Sequence, residues 1–142
     1  MSGAPPALRV TRRYDATAER VFDAFLDPAR ARRFLFATPN GEMVRADIDA
    51  RVGGSFRFVD RRDGEDVEHV GHYLEIARPR RLVFTFGVPK YDATVTRVTI
   101  EIEAQGDGCV LTLTHEMVRP EWTDQTRDGW TKILDALART LA

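Results

Sequence analysis

The chain has 142 residues, of which 43% are hydrophobic, which fits one globular domain and excludes an intrinsically disordered chain. The 21 basic and 22 acidic residues give a net charge of -1, which argues against nucleic-acid binding, since that function normally needs a basic excess. No apolar run approaches the roughly 20 residues of a membrane span, and the first residues contain no apolar signal core. We therefore expect a cytoplasmic protein without membrane insertion, and the single cysteine, Cys109, fits a reducing compartment.

The first quarter of the chain predicts one strand followed by two helices. Residues 8–14 alternate between apolar and polar side chains, as a half-buried strand does. Residues 17–26 carry apolar side chains at helical spacing, with Asp15 or Thr17 as the N-cap. Residues 29–36 predict a second, short helix that is rich in arginine.

The middle of the chain predicts a run of strands separated by turns. The six strands are predicted at residues 43–49, 55–60, 66–76, 81–86, 94–104 and 109–116. Glycine-containing turns are predicted at residues 52–54, 62–64 and 105–108, and a longer loop at residues 87–92. Short turns between successive strands indicate that neighbouring strands are antiparallel.

The end of the chain predicts one long amphipathic helix at residues 123–141. Its apolar stripe consists of Trp130, Ile133, Leu134, Leu137 and Leu141. Such a stripe must lie on an apolar surface, and the preceding strands supply one as a sheet. The sequence therefore predicts an α+β fold in which residues 8–142 form a single domain after a flexible tail at residues 1–7.

This order of elements resembles the helix-grip superfamily, also called SRPBCC and including the START and Bet v allergen-like proteins. Within it, the chain is similar to the branch named for the C-terminal domain of the Hsp90 ATPase activator. The matching residues are spread over almost the whole chain, at 15–22, 27–28, 34, 51–56, 71, 76, 79–85, 111–115, 129–130, 133–134 and 137. The resemblance implies a curved antiparallel sheet that grips the long C-terminal helix.

The resemblance also implies an apolar ligand in the space between the sheet and the long helix. Apolar and aromatic side chains are typical of such sites. The residues that we predict to contact a ligand are Phe34, Phe36, Phe56, Phe58, Tyr73, Phe84, Phe86, Leu111, Leu113, His115, Trp130 and Leu134. For each of these residues, a place in a packed core is the simpler alternative.

Few polar residues indicate catalysis or metal binding. His115 and Tyr73 are weak candidates for acid or base roles, with a hydrogen-bonded histidine at a strand end as the simpler interpretation of His115. His69 and His72 should lie on opposite faces of one strand, so we expect no metal site, and no cofactor is predicted. We expect Cys109 to be structural.

Other polar residues of the strands, namely Asp47, Arg57, Tyr73 and Glu75, are expected to face solvent. Arginine clusters at residues 30–33, 61–62 and 78–81 predict a solvated surface on which the arginines pair with acids.

The sequence therefore leads to three hypotheses about function. The first is binding of a small hydrophobic molecule, such as a lipid, a polyketide or an aromatic compound. The second is a protein-interaction module, associated with a chaperone as in the Hsp90 activator that the chain resembles. The third is a cyclase or hydrolase that uses the same cavity, with His115 and Glu116 or Tyr73 as acid and base. Self-association as a homodimer is left open.

Overall fold

The computed structural model describes residues 7–141 and shows a single seven-stranded sheet with helices on one side of it. In chain order the elements are β1 (Ala7–Tyr14), α1 (Ala18–Leu26), α2 (Pro28–Ala31), β2 (Glu42–Ile48), β3 (Ser55–Arg62), β4 (Glu65–Ala77), β5 (Arg81–Val88), β6 (Asp92–Gln105), β7 (Gly108–Glu116), a 3₁₀ turn (Pro120–Trp122) and α3 (Thr123–Leu141). This is the predicted α+β helix-grip fold. Among the described residues, no helix combines the length and the apolar character needed to cross a membrane.

All strand pairs of the sheet are antiparallel, in the order β1-β7-β6-β5-β4-β3-β2. The register aligns Leu8, His115, Val98, Phe84 and Tyr73 in one row across five strands. Each of these side chains is at most 3% exposed. The row therefore marks the sheet face that lies against the helices, as alternating strands predict.

The opposite face of the sheet is in contact with solvent and carries ion pairs. Arg97 pairs with Glu116 at 2.8 Å, and Arg81 pairs with both Glu75 and Glu101. All of these side chains are partly exposed to solvent, so the pairs contribute little to stability. They fit the prediction that many arginines lie on a solvated surface.

The long helix α3 packs on the sheet through Trp130, Leu134 and Leu137, which are all buried. The hydroxyl of Tyr14 in β1 donates a 2.8 Å hydrogen bond to the carbonyl oxygen of Leu134. Arg12 of the same strand forms an ion pair with Asp135 of α3. Strand β1 therefore holds the middle of α3 by polar contacts as well as by packing.

The short helices begin at well-defined caps. Thr17, and not Asp15, is the N-cap of α1, because its side chain accepts a hydrogen bond from the backbone N–H of Arg20. Asp27 ends α1, and its carboxylate accepts from the backbone N–H of Ala29 to start α2. Pro28 occupies the first turn of α2, where it needs no N–H partner.

The predicted second helix at residues 29–36 is wrong in length, because α2 ends at Ala31 and turns follow. Phe34, Leu35 and Phe36 are three consecutive buried residues, and one face of a helix cannot bury all three. All three side chains can be buried because the backbone leaves the helical path, with Phe36 in a left-handed conformation at a φ of 60°. This backbone conformation directs the Phe36 ring under α3.

Two further expectations need correction at the ends of strands. The loop predicted at residues 87–92 is shorter, because Gly87 and Val88 continue β5 and Val88 pairs with Asp92 of β6. Ala7, predicted as part of the tail, is the first residue of β1 and pairs with Glu116. The rest of the predicted tail, residues 1–6, lies outside the described residues.

Candidate functional site

Most of the predicted ligand-contacting residues fill the space between the sheet and α3. Eight of them lie in the packed core and border no sizeable opening: Phe34, Phe56, Phe58, Tyr73, Phe84, Leu111, Leu113 and Leu134. Their rings pack edge to face, with centroids of Phe56 and Phe84 5.3 Å apart. The void left beside them measures only about 10 Å³, which is too small for a ligand.

Two adjoining openings that predicted contact residues do border lie near the N-terminal end of α3, whereas larger surface openings of about 710 and 490 Å³ elsewhere are bordered by none of them. We call the larger of these two the deep cleft; it measures about 380 Å³ and lies between α3, residues 36–39, Arg62 at the end of β3 and His69 of β4. We call the smaller one the narrow cleft; it measures about 160 Å³ and lies between the β5–β6 turn and residues 117–119. Phe86, Trp122 and Thr126 border both, so the two clefts adjoin.

Four of the predicted contact residues border these clefts. Phe36 and Trp130 line the deep cleft, His115 lines the narrow cleft, and Phe86 lines both. The Phe36 ring stacks on Phe86 at 5.0 Å and on the imidazole of His69 at 4.8 Å. Phe36, Phe86 and His69, which all border the deep cleft, therefore form a stack of aromatic rings in its lining.

His115 has a partner on each ring nitrogen. The indole N–H of Trp130 donates to Nδ1 at 2.9 Å, so Nδ1 is unprotonated and the proton sits on Nε2. Nε2 donates in turn to the Thr96 hydroxyl at 2.6 Å, and that hydroxyl donates to the carbonyl oxygen of Phe86. Burial lowers the pKa of His115 to about 4, so the imidazole is neutral near pH 7.

His69 is likewise buried and neutral. Its Nδ1 donates to the carbonyl oxygen of Phe58 at 3.4 Å, and its Nε2 accepts from Arg62 at 3.5 Å. Burial and the nearby Arg62 charge lower the pKa of His69 to about 4. His72 of the same strand is exposed, so the prediction that the two histidines lie on opposite faces is confirmed.

A polar cluster that the sequence did not reveal lies beside the deep cleft. Asp60 is fully buried, and its Oδ2 accepts from Thr38 and from Nε of Arg62, each at 2.8 Å. Nη2 of Arg62 also donates to the carbonyl oxygen of Phe36 at 3.1 Å. Arg62 and Thr38 line the deep cleft, and Asp60 lies behind them.

Gly41 explains how Asp60 fits in this cluster. An added Cβ at Gly41 would lie 2.3 Å from Oγ1 of Thr38 and 2.5 Å from Oδ2 of Asp60. Because atoms cannot approach so closely, only glycine leaves room for the carboxylate there.

A signal for Asp60 and Arg62 was present in the alternation of β3. Phe56 and Phe58 face inward, and the same period of two continues to Asp60 and Arg62. Arg62 was instead assigned to a turn and to a solvated arginine cluster, so its inward position is a correction. Its side chain is one-third exposed at the cleft.

Of the four polar strand residues that we expected to face solvent, three do so and one does not. Asp47, Arg57 and Glu75 are exposed, as predicted. The prediction for Tyr73 is wrong, because its side chain is only 3% exposed. Burial raises the pKa of the Tyr73 hydroxyl. Cys109 is fully buried beside β1, and burial raises the pKa of its thiol, in agreement with a structural role.

The described residues contain no group of three or more His, Cys, Asp or Glu side chains with the arrangement of a metal site. The candidate site is thus an aromatic cleft with one arginine at its wall. Its chemistry is that of apolar contact, ring stacking and a small number of directed hydrogen-bond donors.

Comparison with known proteins places this architecture in a family. The sequence model described as activator of Hsp90 ATPase homolog 1-like protein matches residues 15–142. Among curated proteins, no sequence match was found.

Solved structures share the fold over nearly the whole chain. Protein CV1439 from Chromobacterium violaceum is 27% identical, with a TM-score of 0.86 over 95% of this chain and 96% of that one. Mll3558 from Rhizobium loti is 26% identical, with a TM-score of 0.78 over 95% and 96% of the two chains. CalU16 from Micromonospora echinospora is 26% identical, with a TM-score of 0.73 over 96% and 76%.

Proposed function

The chain belongs to the activator of Hsp90 ATPase homolog 1-like family, and from that premise we propose that it binds a small hydrophobic molecule in the deep cleft beside α3. A volume of about 380 Å³ lies within the usual range of ligand sites, which is roughly 300–1,000 Å³. The stack of Phe36, Phe86 and His69 offers such a molecule a flat apolar surface. The polyketide, lipid or aromatic character expected from the sequence fits this surface.

The observation that carries the proposal is Gly129, which lines the deep cleft from within α3. Glycine inside a helix costs about 1 kcal/mol relative to alanine, so such a position needs a reason. Close packing is not the reason, because an added Cβ at Gly129 would meet no heavy atom within 4 Å. Because Gly129 lines the deep cleft, we infer that a larger side chain at this position would extend into the cleft, and that the glycine keeps it open.

The histidines favour binding over acid–base catalysis. A general acid or base needs a free nitrogen within reach of the substrate and a pKa near the working pH. Both ring nitrogens of His115 and of His69 already have partners, and both imidazoles are neutral. We therefore place the cyclase or hydrolase hypothesis behind ligand binding.

The rim of the narrow cleft supports a second candidate function. Tyr91, Met117 and Trp122 are 55%, 43% and 40% exposed and border the same opening, and grouped apolar side chains of this kind are typical of interaction surfaces. Together with the family membership, this rim favours a chaperone-associated interaction as the alternative. Stimulation of the ATPase of the host's Hsp90 homologue, lost in Trp122→Ser, would support the alternative.

The binding proposal is tested by native mass spectrometry of the protein purified from its own host, followed by organic extraction. We expect an apolar passenger at up to one molecule per chain. Gly129→Leu should lose it, since the new side chain enters the deep cleft, whereas the matched Gly129→Ala should keep it. An empty wild-type protein that also binds none of a panel of aromatic and acyl compounds would contradict the proposal.

A further inference from the structure

Arg62 gives the ligand of the deep cleft a specific chemistry. We infer that this ligand carries a neutral oxygen acceptor, such as a ketone, quinone or amide carbonyl, which accepts a hydrogen bond from Nη1 of Arg62. The inference rests on the proposed function, because it names the ligand class of the same cleft. It follows from three properties of Arg62, namely its free donors, its fixed position and its balanced charge.

The first property is the pair of N–H groups on Nη1. A guanidinium carries five N–H donors and is always charged. Nε of Arg62 donates to Asp60, and Nη2 donates to the carbonyl oxygen of Phe36 and to His69. Within residues 7–141, Nη1 makes no hydrogen bond. Arg62 lines the deep cleft, so a bound molecule can supply that acceptor.

The second property is that the guanidinium is held in place before a ligand arrives. Its partners come from β3, from β4 and from the turn that contains Phe36. Asp60 in turn is held by Thr38 from the wall of the cleft. A donor fixed in this way loses little conformational entropy when it binds, and its planar geometry selects where the acceptor must lie.

The third property is that the charge of Arg62 is already balanced. Asp60, with a side chain only 1% exposed, is its ion-pair partner at 2.8 Å. The other charged residues at the cleft, Asp128 and Lys132, pair with each other at 3.0 Å. His69, the remaining titratable group in the lining, is a neutral hydrogen-bond partner of Arg62.

A carboxylate would therefore bring an uncompensated negative charge into an aromatic cleft, and burying such a charge is costly. A neutral carbonyl oxygen needs only one donor, and Arg62 supplies it. Hydrogen bonds from charged donors contribute about 1.5–3 kcal/mol, which corresponds to roughly tenfold or more in affinity.

Three naphthalene probes of similar shape test this inference by isothermal titration calorimetry. Acetonaphthone carries a ketone, ethylnaphthalene carries no acceptor, and naphthoate carries a carboxylate. We expect the ketone to bind about tenfold more tightly than the hydrocarbon, and more tightly than the carboxylate. Arg62→Met should abolish the preference for the ketone, so that acetonaphthone and ethylnaphthalene bind this variant with similar affinity.

Two further variants make the comparison decisive. Asp60→Asn/Arg62→Met removes both charges together and should bind the probes like Arg62→Met, in case the single variant does not fold. Arg57→Met is the matched control, because Arg57 is an exposed arginine of the same strand, paired with Glu68 outside the deep cleft. It should bind all three probes as the wild type does.

The outcomes separate the inference from the proposed function. Equal affinity for the ketone and the hydrocarbon, tightest binding of naphthoate, or a ketone preference that survives in the double variant would each overturn the inference while ligand binding stands. Failure of all three probes to bind would overturn the inference, and it would overturn the proposed function as well only if the native protein also carried no passenger and bound none of the wider panel. In the wild type, the guanidinium N–H signals of Arg62 should shift in NMR spectra with acetonaphthone and not with ethylnaphthalene, and the reverse would also overturn the inference.

Discussion

Trp130 of α3 donates its indole N–H to Nδ1 of His115 in β7 across 2.9 Å. This bond joins the long helix to the sheet at the point where the two clefts adjoin. It also fixes the tautomer of His115, so that Nε2 donates to Thr96. Protonation of Nδ1 would replace the accepting lone pair by a second donor and break the contact, so this part of the fold depends on a neutral histidine.

We expect the free energy of unfolding to decrease as the pH falls from about 6.5 to about 4. Burial holds the pKa values of His69 and His115 at about 4, whereas an unfolded histidine titrates near 6.5. Between these values the unfolded chain binds more protons than the folded one, so stability rises with pH across this window and falls as the pH is lowered. Each histidine should contribute roughly 3 kcal/mol, measured by urea unfolding at several pH values.

His115→Gln should remove about half of that pH dependence, because glutamine keeps one acceptor and one donor but does not titrate. His72→Gln is the control, since His72 is exposed on the outer face of β4, and it should leave the dependence unchanged. A wild-type protein whose unfolding free energy is flat across this window would contradict the neutral, buried state of both histidines.

Gly129→Ala should increase the free energy of unfolding by about 1 kcal/mol, since alanine is the better helix former and its Cβ meets nothing within 4 Å. Gly41→Ala is the matched opposite case and should destabilise the protein, because its Cβ would lie 2.3 Å from Thr38 and 2.5 Å from Asp60. Urea unfolding measures both. Loss of stability in Gly129→Ala would show that the open space beside α3 is not there.

Much of the fold could be predicted because its elements have a clear period. The strands predicted at residues 55–60, 81–86, 94–104 and 109–116 alternate every second residue. The stripe on residues 123–141 predicts α3 with the bounds that the structure shows. The short helix α2 could not be bounded in this way. Its end depends on burying Phe34, Leu35 and Phe36 together, which is a tertiary requirement that overrides local helical preference.

The site was harder to predict from the sequence than the fold, for three physical reasons. Aromatic residues that fill a core look the same in sequence as those that line a cleft, so Phe56 and Phe86 could not be told apart. The inward face of β4 carries Val67, His69, Gly71 and Tyr73, and this mixture hides the alternation that would have placed Tyr73 inside. Arg62 was obscured because charged residues usually face water.

Arg62→Met should destabilise the protein by about 3–5 kcal/mol, because it leaves the buried Asp60 carboxylate without its ion-pair partner. Asp60→Asn/Arg62→Met should recover part of this loss, since the unpaired charge is gone. Arg57→Met breaks an exposed pair with Glu68 and should cost at most about 1 kcal/mol. Equal unfolding free energies of the Arg62 and Arg57 variants would contradict the buried position of Asp60.

Tyr14→Phe should lower the free energy of unfolding by about 1 kcal/mol, because it removes the hydrogen bond from the Tyr14 hydroxyl to the carbonyl oxygen of Leu134. The phenyl ring keeps the same packing, so the loss isolates this one polar contact between β1 and α3. Tyr91→Phe is the control, since Tyr91 is 55% exposed, and it should be neutral in urea unfolding. If Tyr14→Phe were as stable as the wild type, this hydrogen bond would contribute nothing, and packing together with the Arg12–Asp135 ion pair would hold α3 against β1.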